Sequence, residues 1–257
     1  MILAIDMGNT NIEVGCIEGK KILFSERIST DIRKTEMEYA VILRTIVELH
    51  DCNPDDVTGG IISSVVPPLT HIIKQAVRMV FHFSPMVVGA GLKTGLNIKM
   101  DNPASVGADL VVDSVAGMYE YGAPLIIIDM GTATTITALN KNSDYIGGVI
   151  IPGLRVSLES LVSQTSQLPR ISLGSPRHCI GKNTIECMKS GLIFGEASRI
   201  DGMIDRFFDE LGFETKVVAT GGLAKIIIPN CRHDIILDNE LMMKGLRHIY
   251  EKNIKNK

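Results

Sequence analysis

Apolar positions along this chain fall into short runs broken by polar turns, and two periods can be read from them. Residues 2–6 form a β-rich apolar run, followed by "NIEVGCIEG" and "KKILFSERIS", which alternate as half-buried strands do. The polar "EGKK" between the last two fits a hairpin, so three successive antiparallel strands are expected. "EMEYAVILRTIVELH" has apolar residues at 39, 42, 43, 46, 47 and 49 behind an acidic first turn, the spacing of an amphipathic helix. "GGIISSVVP" reads as a buried strand, "PLTHIIKQAVRMVF" as a helix opened by Pro68, and "PMVVG" as a short strand. From Gly89 to Gly107 the chain is irregular and rich in Gly, Asn and Pro, a candidate binding loop. "GADLVVDSVAGMYEYG" predicts a helix ending at Gly122.

The second half restarts the same rhythm. "APLIIIDMG", "TTITALN" and "DYIGGVIIPG" predict three strands, the last two joined by "KNSD". Residues 154–163 look helical, 164–183 form a loop rich in Ser, Pro and Gly, and a long helix is expected from about Thr184 to Leu211. "TKVVATGG" is a strand feeding a Gly-Gly turn, and "NELMMKGLRHIYEKN" a terminal helix. Each half therefore reads β-β-β-α-β-α. An internal duplication of this kind predicts an α/β protein of two lobes, residues 1–120 and 121–257, flanking a cleft.

The chemistry lies where the first strand of each half stops. "IDMGNTNI" ends the first with Asp6, Gly8, Asn9 and Thr10; "IDMGTATT" ends the other with Asp129, Gly131 and Thr132, 123 residues later in a chain of 257. Gly8 and Gly131 permit close approach, so that successive backbone N–H groups can face one anion. Asn9, Thr10, Thr132 and Thr134 add neutral donors within reach of phosphate oxygens. Asp6 and Asp129 would repel a bare phosphate and make sense with a cation in between, Mg²⁺ being favoured by carboxylate and triphosphate oxygens together. Either turn alone also fits a plain hairpin whose Asp caps the next N–H; repetition at half-chain spacing argues for the phosphate cradle. No Walker-type G-x-x-x-x-G-K-[ST] or G-x-G-x-x-G follows a strand. Gly221 and Gly222 would let backbone lie flat against an adenosine, although a tight turn needs the same residues.

Composition narrows the field without choosing within it. A net charge of −3 and a pI near 6.1 give no electrostatic footprint for nucleic acid or an anionic membrane. The densest basic run, "KNIKNK" at 252–257, reads as a solvated end. Apolar runs stop far short of the ~20 residues a membrane helix needs. "MILAID" lacks a basic n-region, and five cysteines without C-x-x-C spacing read as reduced thiols, so a cytoplasmic compartment is expected.

The two turns and the Gly-Gly junction resemble the superfamily of sugar and acetate kinases, heat-shock ATPases and actin. Within it, the chain resembles type III pantothenate kinases along nearly its whole length. The markers are "DMGNTNI" at the start, "DNPASVGAD" at 101–109, "DMGTATT" at 129–135, "GGVIIPGL" at 147–154 and "GKNTIECMKSG" at 181–191. The resemblance implies two ribonuclease-H-like lobes in the actin-like ATPase fold. It also implies transfer of the γ-phosphoryl of ATP to the primary hydroxyl of pantothenate, the first committed step toward coenzyme A. By resemblance Asp109 is the proton acceptor, and Asp6, Met7, Gly8, Asn9, Thr10, Asn11, Ile12, Glu13, Thr132, Gly221 and Gly222 form the ATP side. Met100, Gly107, Ala108, Leu110 and Thr184 flank the acceptor. A monovalent cation, K⁺ or NH4⁺, is expected at Asp129, Mg²⁺ with ATP near Asp6, and a homodimer closing the pocket near "GGVIIPGL".

From the residues alone, Asp109 could equally be an acid in the first turn of a helix, stabilised by its dipole, and Thr184 an N-cap hydroxyl. One position departs from the family pattern: Leu110 stands where Gly-Ala-Asp is usually followed by an Arg that grips pantothenate. Met100 likewise replaces a frequent aromatic. A leucine offers no charge-assisted bond to a carboxylate, and Arg155 or Lys182 are the cations that could replace it. Two further readings follow: a kinase for another small hydroxylated acceptor, and a nucleotide-binding regulator that has lost acceptor recognition.

Overall fold

A computed structural model describes residues 1–254; residues 255–257, the last part of the "KNIKNK" run, lie outside the described residues. The chain forms two compact units. The first comprises residues 1–96, 101–120 and those from Glu240 on; the second comprises 97–100 and 121–239.

In the first unit, β1 (Ile2–Met7), β2 (Asn11–Glu18) and β3 (Lys21–Ser29) form the expected antiparallel meander. After α1 (Glu36–Leu49), strand β4 (Gly59–Ser64) returns parallel to β1. Helix α2 (Pro67–Phe81) then leads to β5 (Met86–Val87), giving the sheet order β3-β2-β1-β4-β5. Thr35 opens α1 through a capping box, accepting from the Glu38 N–H while the Glu38 carboxylate accepts from the Thr35 N–H. That reciprocal bond is why the acidic first turn marks a helix start. Leu43 and Val47 of α1 and Leu69, Ile73 and Val77 of α2 are buried with Leu3, Ile5 and Met7 of β1. Each such side chain stabilises the fold by roughly 1.5–3 kcal/mol.

The irregular stretch after Gly89 holds a two-residue strand, β6 (Asn97–Ile98), which pairs in the second unit's sheet. Helix α3 (Ala108–Tyr121) follows, and then β7 (Leu125–Met130), β8 (Ala133–Leu139) and β9 (Asp144–Pro152), again an antiparallel meander. Helix α4 (Leu154–Ser163) and the 28-residue α5 (Thr184–Leu211) flank the predicted loop, and α5 ends on Gly212 in the left-handed conformation. β10 (Lys216–Thr220) pairs parallel with β7; α6 (Ala224–Ile227) and β11 (Ile236–Leu237) complete a sheet ordered β11-β10-β7-β8-β9-β6.

Helix α7 (Leu241–Ile254) returns to the first unit, where it packs on β4 and β1. The sequence reading places 121–257 together, whereas Leu241, Met243, Leu246 and Ile249 are buried and Tyr250 lies against Gly59 of β4. An amphipathic helix needs an apolar face to cover, and periodicity alone does not say which sheet supplies it.

Candidate active site

The first turn is built where β1 stops. Gly8 N–H donates to Asn11 O at 2.9 Å, closing a four-residue loop between the paired Met7 and Ile12. The end of β3 fastens the loop, with Thr30 Oγ1 donating to Gly8 O at 2.6 Å and Thr30 N–H donating to Thr10 O at 3.0 Å. Asn9, Thr10 and Asn11 are exposed, while Met7 and Ile12 point into the core, so only their main chain could meet a ligand. Glu13 pairs across the ladder with Asp6, and Arg27 pairs with Glu13 on its other side. Arg27 Nη2 donates to the Glu13 carboxylate at 2.8 Å and Ser25 Oγ donates to it at 2.6 Å, which offsets two acids placed opposite each other.

Asp109 lies in the first turn of α3. Its Oδ1 accepts the Leu110 N–H at 2.8 Å, and the carboxylate folds back over Gly107, where an added Cβ would meet Oδ1 and, at 3.7 Å, Val65. Val65 N–H in turn donates to Met7 O at 3.0 Å, so Asp109 sits beside the segment tied to the end of β1. Burial pushes the Asp109 carboxyl above its usual range, opposed by the backbone N–H donors. A carboxylate moved toward neutrality, at the carboxyl ends of two parallel strands, can accept a proton from a nearby alcohol.

The second turn repeats the plan one residue shorter. Gly131 N–H donates to Ala133 O at 3.0 Å between the paired Met130 and Thr134. Parallel pairing of β10 with β7 brings Thr220 opposite Asp129, which lays Gly221 on this turn. Gly221 has φ +98° and no room for a side chain, since a Cβ would lie 2.7 Å from Asp129 Oδ1 and from Met130 backbone atoms. Gly153, just after β9, rests on Thr132 O and Gly131 O and donates to Thr132 O at 3.2 Å. Asp129 and Gly221 thus share one turn with Thr132, which is exposed. Gly222 is exposed too, and beside it Leu223 and Ile226 line a cavity of about 360 Å³ with Arg155, Leu158, Ile171 and Leu173.

Thr134 departs from expectation. It is 1% exposed and donates to Glu196 Oε1 at 3.1 Å, so its hydroxyl serves α5 and not a phosphate. Glu196 is itself buried and ion-paired with Arg199, whose Nη2 also donates to Pro152 O at 2.9 Å. Burial raises the Glu196 carboxyl, and Arg199 and Thr134 oppose that rise.

The family model for type III pantothenate kinase matches residues 2–206 of this chain. The chain belongs to the type III pantothenate kinase family. A type III pantothenate kinase of Halalkalibacterium halodurans is 44% identical over 254 residues, covering 99% of this chain and all of that protein. Two solved structures show the fold at lower identity. A Baf family protein from Campylobacter jejuni superposes with a TM-score of 0.60 at 18% identity, over 98% of this chain and 99% of its own. Component A of (R)-2-hydroxyglutaryl-CoA dehydratase from Acidaminococcus fermentans gives a TM-score of 0.60 at 14% identity, over 100% and 99%. The architecture is the actin-like ATPase fold, mixed α/β with two sheets, and the chain is a kinase.

The fold divides most of the expected residues between the two units. Asp6 to Glu13 share the first unit with Gly107, Ala108, Asp109 and Leu110, linked through Val65, and Asp129, Thr132, Gly221 and Gly222 share the second. Met100 also falls in the second unit, its Sδ 3.4 Å from where a Gly147 Cβ would stand. Thr184 is exposed at the first position of α5, and the N-cap is Asn183, whose Oδ1 accepts the Glu186 N–H at 3.0 Å. Thr184 is therefore not the cap, and its hydroxyl has no capping duty. Leu110 is half-buried; Arg155 and Lys182 are both exposed. Sequence reasoning missed Glu196 and Arg199, because two charges three apart on a helix read as a solvated face.

Proposed function

We propose that this kinase moves the γ-phosphoryl of ATP to the primary hydroxyl of pantothenate, as its family does in coenzyme A biosynthesis, with Asp109 taking the hydroxyl proton. The observation that carries the role of Asp109 is its half-buried carboxylate above Gly107, beside the Val65–Met7 link to the first turn. In the first unit the N–H groups of residues 9–11 and the Asn9 and Thr10 side chains face phosphate oxygens, the Gly8 N–H being taken by Asn11 O; in the second, Thr132 does. Gly221 and Gly222 admit the adenosine side, and the cavity lined by Leu158, Leu173, Leu223 and Ile226 offers an apolar wall to a base.

Among the described residues no group of three or more His, Cys, Asp or Glu is gathered as a metal cage. Mg²⁺ arriving with ATP would thus take its ligands chiefly from phosphate and water, with Asp6 on that side. K⁺ or NH4⁺ is assigned to Asp129, whose cross-strand neighbour is the neutral Thr135. When bound, such a cation offsets charge between Asp129 and the phosphates. Met100, Leu110 and Thr184 are assigned to the pantothenate side. A homodimer is supported by Ile146 and Ile150, 37% and 75% exposed along β9. No described helix is long and apolar enough to cross a membrane, and all five cysteines are free thiols, which supports a reducing, cytoplasmic setting.

Leu110 favours one alternative, a nucleotide-binding relative that no longer grips pantothenate. A coupled ADP-release assay with and without pantothenate, in potassium and then in sodium, separates the two. Potassium-dependent release that requires pantothenate is expected, together with a loss of about 10²–10⁴-fold in folded Asp109→Asn. Nucleotide binding without pantothenate-dependent release would instead establish the regulator, and an unchanged rate in Asp109→Asn would remove Asp109 from the mechanism.

A further inference from the structure

Two bonds tie the second turn to an ion pair of α5 whose acid is buried. Thr134, the first residue of β8 to pair with β7 after the turn, donates to Glu196; Arg199, bound to Glu196, donates to Pro152 O at the end of β9. Pro152 is the ladder partner of Ala133, and Gly153 donates to Thr132 O. Residues 131–134 are thus held on one side by Thr134 and on the other through Pro152 and Gly153, and both holds converge on a single ion pair of α5. Glu196 is 4% exposed and Thr134 1%, so neither can serve a ligand in solvent directly. Burying the Glu196 carboxylate is costly even beside Arg199, whose side chain is 33% exposed, and well-packed apolar residues often stabilise such a place equally well. The pair's position behind a ligand-facing turn, bonded to both strand ends, points to a role in that turn's geometry.

We infer that Glu196 and Arg199 are positioning residues that fix the second turn from behind and thereby set the enzyme's grip on ATP. The inference rests on reading residues 129–132 as the phosphate turn. Glu196 holds β8 through a hydroxyl, Arg199 holds β9 through a carbonyl, and their mutual attraction keeps the two strand ends in register around Thr132. Loosening the pair misplaces Thr132 and Asp129 without touching any residue on the pantothenate side. Geometric error at a phosphate cradle falls on ATP affinity and on the rate, since both need the same oxygens held in line.

The test measures kcat, the KM for each substrate and the affinity for a non-hydrolysable ATP analogue in five variants, with thermal melts alongside. Glu196→Ala is expected to raise the ATP KM and the analogue Kd by about tenfold or more, with the pantothenate KM held within about twofold. Glu196→Gln keeps an acceptor for Thr134 and should recover part of the loss. Thr134→Val retains the buried volume, does not depend on tolerance of a lone charge, and should still weaken ATP about threefold or more. The double variant Glu196→Leu with Arg199→Met removes both charges together and should weaken ATP while remaining folded. Thr132→Ala probes the turn itself. If Thr132→Ala weakens ATP while Thr134→Val and the double variant bind the analogue as the parent does, the positioning role is overturned. If Thr132→Ala leaves ATP unaffected, the phosphate-turn reading fails first and the inference with it.

Discussion

The turns at 6–13 and 129–135 share a plan and differ in what supports them. Both follow a buried strand, both begin Asp-Met-Gly, and both fold into a hairpin whose second strand runs back antiparallel. The first spans four residues between its paired positions and is fastened by a neutral hydroxyl, Thr30 to Gly8 O. Its Asp6 faces another acid, Glu13, held by Arg27. The second spans three residues, is clasped by Gly153 and Gly221, and is backed by an ion pair whose acid, Glu196, is buried. Its Asp129 faces neutral Thr135, so the cross-strand neighbour leaves its charge to be balanced from elsewhere. Two copies of one motif thus differ in the charge of their cross-strand neighbour, an acid in the first and a neutral threonine in the second.

Steric contrast gives the largest expected effect. An alanine Cβ at Gly153 would lie 2.8 Å from Gly131 O and nearer still to Thr132 O, both rigid backbone atoms. Gly153→Ala should therefore cost about 1–3 kcal/mol of stability and weaken ATP with it. At Gly8 the nearest atom is Asn11 O at 3.1 Å, and Gly8→Ala should cost no more than about 1 kcal/mol. Urea unfolding curves of the two variants measure the difference, and equal costs would break the asymmetry.

Charge contrast comes next. Asp129→Asn should lower kcat/KM in potassium by about tenfold and erase the advantage of potassium over sodium. Asp6→Asn should keep that advantage while raising the magnesium concentration needed. A potassium effect that follows Asp6 and ignores Asp129 would reverse the assignment of the two turns.

Asp109 sharpens the comparison along the pH axis, because its raised pKa belongs to the first unit. A raised carboxylate binds its proton more tightly when folded, so this group's contribution to stability falls as pH rises from the ordinary value of 3.8 through the folded one. Asp109→Asn should flatten that slope and leave the protein no less stable at neutral pH, even as activity is lost. The acid limb of kcat/KM should lie above that of an ordinary aspartate. Chemical denaturation across pH and a rate profile on the parent enzyme check both.

The smallest effect is expected at the surface. Arg27 is nearly half exposed, so Arg27→Met should change stability by at most about 1 kcal/mol. Its signature is instead a modest fall in the magnesium requirement, because Glu13 then faces Asp6 without its partner and the site is more negative.

Much of this was legible in the residues, for reasons that differ from element to element. Helices α4 and α5 fall where apolar spacing and turn composition place them, at 154–163 and 184–211. The paired Asp-Met-Gly turns were visible because each follows an uninterrupted apolar strand. Short pairings were not: β6 and β11 span two residues each, too few to show a period. Thr134 was read as a phosphate donor because its type suits that work. Pairing with Met130 turns its side chain inward, and a one-residue difference in loop length between the two turns decides which threonine faces out. Glu196 and Arg199 carry charges that a linear reading assigns to solvent, and only the packing of α5 against β8 and β9 reveals their use.

Helix α7 has a consequence for how the polypeptide is made. The sheet begun by β1 is covered in part by α7, roughly 190 residues after β4 has left the ribosome. At a synthesis rate of about 5–20 residues per second, the intervening strands β7 to β11 have time to assemble before that cover arrives. A nascent chain stalled short of Leu241 leaves Gly59 and its neighbours bare, an apolar handhold for a chaperone and the natural point at which maturation waits for translation to finish.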